Sequence, residues 1–150
     1  MSGSGQAHVH HSAIVVRDVE ASLRFWRDGI GLAVLMDHTF DGAWGDLFAA
    51  RSDRLRSVFL GDPSRADAGI VELVVFDGGA EAAAPARPPA AGFFLLSLFV
   101  DVDAVLERLH DLGLGGAPRR ISVPAPGGAV AMATVRDPDG VLVELIGMPQ

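Results

Sequence analysis

The sequence has no cysteine and no tyrosine among its 150 residues. The absence of cysteine excludes disulfide frameworks, thiolate zinc sites and cysteine nucleophiles, and the absence of tyrosine excludes a phenol as a catalytic acid. No apolar run approaches the roughly 20 residues that a membrane-spanning helix needs, and the N-terminus has neither the basic start nor the apolar core of a secretory signal. We therefore expect a soluble, cytoplasmic protein without a membrane partner.

Positive charge is also scarce. The chain carries 12 Lys and Arg against 19 Asp and Glu, for a formal net charge of −7, and it has no run of basic residues. This balance argues against nucleic acid or an anionic membrane as the main partner. The glycine-rich loops that bind nucleotides and the Gly-x-Ser-x-Gly elbow of serine hydrolases are absent as well. A chain of about 150 residues suits one compact domain.

The first half of the chain predicts a strand, a helix and three further strands. Asp18 is placed to cap a helix at residues 19–27, in which apolar residues recur at helical spacing before a glycine ends the pattern. Segments rich in β-branched residues between turn signals predict the strands. These segments are residues 10–16, 32–39, 55–60 and 70–76.

The second half repeats this order after a connector at residues 78–92, which is rich in Ala, Pro and Gly. Asp101 precedes a predicted helix at residues 102–112, and matching Asp18 with Asp101 aligns the halves without gaps at an offset of 83 residues. The repetition predicts an α+β fold of two βαβββ modules, at residues 8–77 and 93–147, within one domain at residues 8–150. Residues 1–7 are predicted to be a flexible N-terminus. The predicted strands of this half are residues 93–100, 119–123, 129–135 and 141–146.

Four short motifs in these elements resemble one superfamily. They are His11 seven residues before Asp18, Val71-Glu72-Leu73, Asp137-Pro138-Asp139-Gly140 and Val143-Glu144-Leu145. The pattern is similar to the vicinal oxygen chelate superfamily, which includes glyoxalase I, methylmalonyl-CoA epimerase, extradiol dioxygenases, and fosfomycin and bleomycin resistance proteins. The resemblance covers residues 8–147. It implies paired βαβββ modules that form a curved mixed sheet around a cavity, and it implies a homodimer.

The resemblance also implies a metal site, because the first and last strands of each module supply one ligand each in the metal-binding members. In this sequence the positions that correspond to the family's four ligands are His11, Glu72, the start of the strand near Phe94, and Glu144. The gap-free repeat places Phe94 at the third position, and a shift by one residue places Leu95 there. Neither side chain binds a metal. One imidazole and two carboxylates still suit a divalent ion of Ni, Mn, Co, Zn or Fe, and a site without metal stays open.

The two glutamates are candidate binding residues on physical grounds as well, independently of the resemblance. A glutamate inside an apolar strand, such as Glu72 or Glu144, needs a partner if its side chain points inward, because burying a lone carboxylate is costly. The alternative is that both side chains point outward to solvent. Strand alternation predicts that His10 faces opposite to His11.

Further residues are candidates for substrate contacts. His38 is a candidate acid, base or ligand, or else a solvated turn residue. Arg54 and Arg56 alternate with a leucine, so both are expected on one face, where they would contact an anionic substrate or serve as solvated charges at a sheet edge. Phe94 is a candidate wall of the cavity. Trp44 lies in a predicted loop at residues 40–48, which suits an apolar lid or a dimer contact.

Three functions follow from these expectations. The first is a metal-dependent lyase or isomerase, in which His11, Glu72 and Glu144 hold an ion that chelates neighbouring oxygens of a small substrate, and one of the two glutamates is the general base. The second is a small-molecule-binding protein without catalysis, which Phe94 or Leu95 in place of a ligand favours. The third is an iron extradiol dioxygenase, which would need a second histidine ligand that only His38 offers.

Overall fold

The computed structural model describes residues 5–85 and 87–148, and each half of the chain runs from a strand through a helix to three strands. The strands are β1 (His11–Val15), β2 (Ala33–Asp41), β3 (Arg54–Gly61), β4 (Ile70–Phe76), β5 (Leu96–Val100), β6 (Arg119–Ala125), β7 (Gly128–Arg136) and β8 (Leu142–Gly147). The helices are α1 (Val19–Leu23), α2 (Trp44–Phe48) and α3 (Val102–Asp111), and a π-helix (Arg24–Ile30) follows α1 directly. Within the described residues, no helix is long and apolar enough to cross a membrane.

Parts of three predicted segments lie outside the described residues. These parts are residues 1–4 of the predicted flexible N-terminus, residue 86 of the connector, and residues 149–150 of the predicted domain. The flexible N-terminus and the single domain of two modules therefore stay predictions.

The strands form two four-stranded mixed sheets with the same topology. The strand order is β1-β4-β3-β2 in one sheet and β5-β8-β7-β6 in the other. In each sheet the first strand of the half pairs in parallel with the last, and the other pairs are antiparallel. This arrangement confirms the predicted α+β class and the repeated βαβββ order.

The first sheet belongs to a compact unit that comprises the residues up to Arg17 together with Leu32–Ala80. One row across this sheet is apolar and buried, because Ile14 and Val58 both pair with Leu73. In the adjacent row of paired residues, Glu72 lies between its partners Ala13 and Phe59. Since neighbouring rows of a sheet point to opposite faces, Glu72 lies on the face away from Leu73.

The second compact unit contains the other sheet and also Asp18–Gly31, the segment of α1 and the π-helix. The Asp18 side chain accepts hydrogen bonds from the first backbone N–H groups of α1, as the sequence predicts for an N-cap. The π-helix packs on α3, where Arg108 donates hydrogen bonds to the carbonyls of Gly29 and Ile30. The helix segment of the first half is thus held by residues of the second half.

A buried carboxylate strengthens this attachment. Asp137, in the turn between β7 and β8, accepts hydrogen bonds from Trp26 Nε1 at 3.3 Å and from the backbone N–H groups of Asp139 and Val141 at 2.9 and 2.8 Å. Burial raises the pKa of Asp137, although these hydrogen bonds oppose the shift. The turn motif that carried the family resemblance therefore has a structural role here.

Three predicted elements need correction. The strand expected at residues 93–100 begins only at Leu96, the first residue of this segment that pairs with β8. The helix expected at residues 19–27 continues to Ile30 as a π-helix. The loop expected at residues 40–48 contains the short helix α2, which ends at Ala49 in the left-handed conformation.

Candidate functional site

Glu72 lies at the centre of the face of the first sheet that is opposite to Leu73. The side chain is 15% exposed, and its Oε2 accepts a hydrogen bond of 2.5 Å from the hydroxyl of Ser57, which is itself 2% exposed. Phe59 pairs with Glu72 across β3 and β4, so Ser57, two residues before Phe59, shares the face of Glu72. The carboxylate is therefore held in one orientation by a buried donor.

His11 faces the other oxygen of this carboxylate. Its Nε2 atom lies 3.5 Å from Oε1 of Glu72, and its side chain is 38% exposed. The parallel pairing of β1 and β4 explains the approach, because Ala13 pairs with Glu72 and His11 lies two residues earlier on the same face. The ring of His11 packs at 5.4 Å from the ring of Phe59. The structure thus brings together two of the three predicted metal ligands.

His10 does not face away from His11 as strand alternation predicts. Its Nδ1 atom lies 2.9 Å from Nδ1 of His11, and its ring packs edge-on at 5.9 Å from Phe59. The prediction is wrong because β1 begins at His11, so His10 precedes the strand and is not bound to its alternation.

His38 lies on β2 opposite Ser57 and therefore on the same face as Glu72. Its ring is exposed and packs edge-on against Phe40 at 4.6 Å. It is a residue of the strand and not of a turn, so the alternative of a solvated turn residue is wrong. A role for His38 in substrate binding stays a prediction.

Arg54 and Arg56 lie together on the opposite face of the first sheet, as their alternation with Leu55 predicts. Arg54 donates to Asp41 at 2.8 Å, and Arg56 donates to Asp37 at 2.9 and 2.7 Å. These hydrogen bonds lower the pKa of both aspartates. The alternative of edge charges is wrong, because β3 is an interior strand between β4 and β2. Both arginines therefore form cross-strand ion pairs, and their predicted contact with an anionic substrate stays a prediction.

Trp44 begins α2 and packs within its own segment. Its Nε1 donates a hydrogen bond of 3.3 Å to the carbonyl of Phe40, and its ring stacks on Phe48 at 5.8 Å. The predicted roles in a lid or a dimer contact stay predictions.

Glu144 occupies the matching position in the second sheet. Its Oε1 accepts a hydrogen bond of 2.8 Å from the hydroxyl of Ser97, its partner in the parallel pairing of β5 and β8. Ser97 lies 84 positions after Ala13, the partner of Glu72. The counterpart of His11 by this register is Leu95, and Phe94, which is 54% exposed, lies one residue before it. Extending the register from Ser97 by two residues reaches Leu95 and not the Phe94 of the gap-free alignment, and both of these residues precede β5.

The sequence of this chain matches one large superfamily. The profile of the Glyoxalase/Bleomycin resistance protein/Dioxygenase superfamily matches residues 8–145. The chain belongs to this superfamily. A relative, the lactoylglutathione lyase-like protein terB of Aspergillus terreus, is 34% identical over an alignment of 148 residues that covers 94% of this chain and 75% of the relative.

Solved structures of the glyoxalase superfamily share the fold. A glyoxalase family protein from Bacillus cereus superimposes with a TM-score of 0.74 at 20% identity, over 98% of this chain and 97% of the other. The trypanothione-dependent glyoxalase I of Leishmania major gives a TM-score of 0.61 at 21% identity, over 95% and 87% of the two chains. At this identity the likeness shows the fold alone.

The residues at the expected glyoxalase ligand positions fit a divalent ion in part. Two ligands with metal bonds of about 2.1 Å are separated by roughly 3 to 3.5 Å, and the nitrogen of His11 and the oxygen of Glu72 are 3.5 Å apart. Within residues 5–85 and 87–148, no group of three His, Cys, Asp or Glu side chains is close enough to hold an ion. The three-ligand set with Glu144 therefore stays a prediction.

Sequence reasoning missed the two serines that bind the glutamates of this glyoxalase-superfamily chain. Ser57 is followed by three apolar residues in β3, Ser97 is the one polar residue of β5, and a lone hydroxyl beside apolar strand residues is the signal that would have found them. Ser57 is also buried, and a buried hydroxyl needs a hydrogen-bond partner for the same reason that a buried carboxylate does.

Proposed function

We propose that this chain is a lyase or isomerase of the glyoxalase type, which removes and returns a proton next to a carbonyl group of a small substrate. The observation that carries the proposal is the arrangement of Ser57, Glu72 and His11 on one sheet face. The superfamily membership and the lyase-like relative support the reaction class.

The arrangement suits ligand binding better than a purely structural role. An ionised carboxylate accepts hydrogen bonds at both of its oxygens, and the buried Ser57 donates to Oε2 of Glu72. The second oxygen of Glu72 instead faces the exposed imidazole of His11. This leaves a carboxylate oxygen and a ring nitrogen together at the surface of the sheet.

We assign His11 and Glu72 as protein ligands of a divalent ion, with Glu144 as the predicted third. When bound, such an ion would polarise a substrate carbonyl as a Lewis acid. Ser57 keeps the Glu72 carboxylate in place, and the exposed His11 and His38 line the approach to it.

Of the two glutamates that the sequence offers as general base, Glu72 and Glu144, we assign the role to Glu144. Its carboxylate accepts one hydrogen bond from Ser97, and the register gives it an apolar counterpart of His11, Leu95. A carboxylate without an imidazole neighbour on that side is suited to take a proton and return it.

A second candidate function is small-molecule binding without catalysis. Leu95 favours it, because a leucine at the register position of His11 removes one ligand from the usual set of four. The homodimer predicted from the resemblance stays a prediction under either function.

Proton exchange at carbon tests the proposal most directly. Thiol adducts of α-oxoaldehydes and epimerisable thioesters are incubated in deuterated water with the protein and Ni²⁺, Mn²⁺, Co²⁺ or Zn²⁺, and exchange is followed by NMR. We expect exchange with the wild type and a loss of about 10²- to 10⁴-fold in Glu144→Gln, the usual contribution of a general base. Glu107→Gln, at an exposed position on α3, is the matched control and keeps full activity.

Two results would separate the candidates. Exchange lost in Glu144→Gln and Glu72→Gln but kept in Glu107→Gln supports the enzyme. Saturable binding of these compounds without exchange in any variant supports the binding protein and contradicts the enzyme.

A further inference from the structure

We propose that His10 is a positioning residue, which holds the ring of His11 through a hydrogen bond between the two Nδ1 atoms and serves both tautomers of that ring. The inference rests on the proposed role of His11 and Glu72 as a ligand pair. It deepens that role by naming the group that keeps the ring of His11 oriented toward Glu72.

The contacts of His11 engage both of its nitrogens. Nδ1 lies 2.9 Å from Nδ1 of His10, and Nε2 lies 3.5 Å from Oε1 of Glu72. Phe59 packs against both imidazoles, at 5.9 Å from His10 and 5.4 Å from His11. The two rings are therefore fixed relative to each other by a hydrogen bond and by a shared aromatic neighbour.

The positions of the protons on the two rings explain why an imidazole at position 10 suits both states of His11. A neutral imidazole has one N–H donor and one acceptor nitrogen, and an ionised carboxylate only accepts. If the proton of His11 lies on Nε2, which faces the Glu72 carboxylate, then Nδ1 of His11 accepts and Nδ1 of His10 donates. When Nε2 presents its lone pair to an ion, the proton lies on Nδ1 of His11, which donates to His10.

A partner that only accepts would support only one of these states. Histidine ligands usually donate their second N–H to a carboxylate or a backbone carbonyl, which fixes one tautomer. His10 accepts in one state and donates in the other, so His11 keeps its hydrogen bond and its orientation in both. We therefore expect the protons of the two rings to move together when an ion binds.

Nitrogen NMR of the histidine side chains tests the hydrogen bond directly. The spectrum is recorded at pH 8, above the ordinary imidazole pKa of about 6.5, first without metal and then with the diamagnetic ion Zn²⁺. We expect the metal-free protein to carry protons on Nδ1 of His10 and Nε2 of His11, and the Zn²⁺ form to carry them on Nε2 of His10 and Nδ1 of His11. Protons on Nε2 of both rings in the metal-free protein would overturn the proposal, because no proton would remain between the Nδ1 atoms.

Affinity for Zn²⁺ provides a second readout. His10→Ala is expected to weaken binding by about 10- to 100-fold, the usual effect of losing the partner of a histidine ligand. His10→Asn restores most of the affinity, because an amide both donates and accepts but is a poor zinc ligand. This rescue separates positioning of His11 from direct binding of the ion by His10.

His8 supplies the matched control. It is another exposed imidazole of the same segment, and its Nε2 lies 3.1 Å from the backbone carbonyl of Asp67. His8→Ala is expected to leave the affinity unchanged, and an equally small effect of His10→Ala would overturn the proposal. If the wild type binds no Zn²⁺, the proposed ion site fails, and the metal-free spectrum decides the role of His10 by itself.

Discussion

Glu72 and Glu144 are half-buried carboxylates, and each accepts a hydrogen bond from a serine on a neighbouring strand. The sequence predicts that these glutamates need partners, because a lone carboxylate in an apolar strand is costly. It does not predict which partners, since Ser57 comes from the antiparallel neighbour β3 and Ser97 from the parallel neighbour β5. Identifying them requires the order of the strands, which is a property of the folded sheet.

Asp137 provides a residue-scale prediction for pH dependence. Its pKa is raised in the fold, so the folded state binds more protons than the unfolded state above the ordinary value of about 3.9. The stability that Asp137 contributes is therefore largest at acid pH and is lost as the pH rises through its folded pKa. Asp137→Asn should lower the free energy of unfolding by about 1 to 3 kcal/mol, because the amide presents a donor to the Trp26 N–H.

Urea denaturation at pH 4, 5, 6 and 7 checks this prediction. The difference between wild type and Asp137→Asn should shrink as the pH rises, and Asp111→Asn, at a largely exposed carboxylate, should show little effect at any pH. A difference that grows with pH would contradict the assigned direction of the pKa shift.

At the scale of elements, the register of the two parallel strand pairs predicts which residues of the two halves correspond. The pairing of Ser97 with Glu144 makes Leu95 the counterpart of His11, since Ala13 pairs with Glu72 in the same way. Leu95→His should therefore place an imidazole beside Glu144 and increase the affinity for Ni²⁺, as measured by calorimetry. Phe94→His, one residue earlier, is the control and should have no such effect. A gain from Phe94→His instead would show that the ladder register is wrong.

The π-helix carries a packing prediction. A Cβ atom at Gly29 would clash with the side chain of Leu109 on α3. Gly29→Ala should lower the free energy of unfolding by about 1 to 3 kcal/mol, the usual effect of overpacking. Arg27→Ala, on an exposed part of the same helix, should leave the free energy of unfolding nearly unchanged. Equal effects of the two substitutions, measured by thermal unfolding, would contradict this account of the helix packing.

Elements with strong periodicity could be predicted from the sequence, and irregular ones could not. The strand at Ile70–Phe76 and the helix at Val102–Asp111 match their predictions closely, because apolar spacing and an N-cap define them. The π-helix has no comparable signal. The start of β5 also depends on its pairing with β8, a strand that begins more than 40 residues later in the sequence.

At the scale of the whole molecule, the sequence repeat predicts the two sheets but not the grouping of the first helix. Asp18–Gly31 belongs to the second compact unit because Trp26 and Arg24 donate to Asp137 and to the Leu112 carbonyl. These contacts join residues far apart in the sequence. A repeat alignment shows which residues of the two halves are equivalent, so it does not predict that a helix of one half packs on residues of the other.

His11 and Glu72 are proposed above to hold a divalent ion. Elemental analysis of the untagged protein, after incubation with Ni²⁺, Mn²⁺, Co²⁺ and Zn²⁺ and removal of excess metal, tests it most directly. About one ion per chain is expected in the wild type and in Glu107→Gln, with most of it lost in His11→Ala and Glu72→Gln. A wild type without any ion, or a His11→Ala variant that keeps the full amount, would contradict the claim.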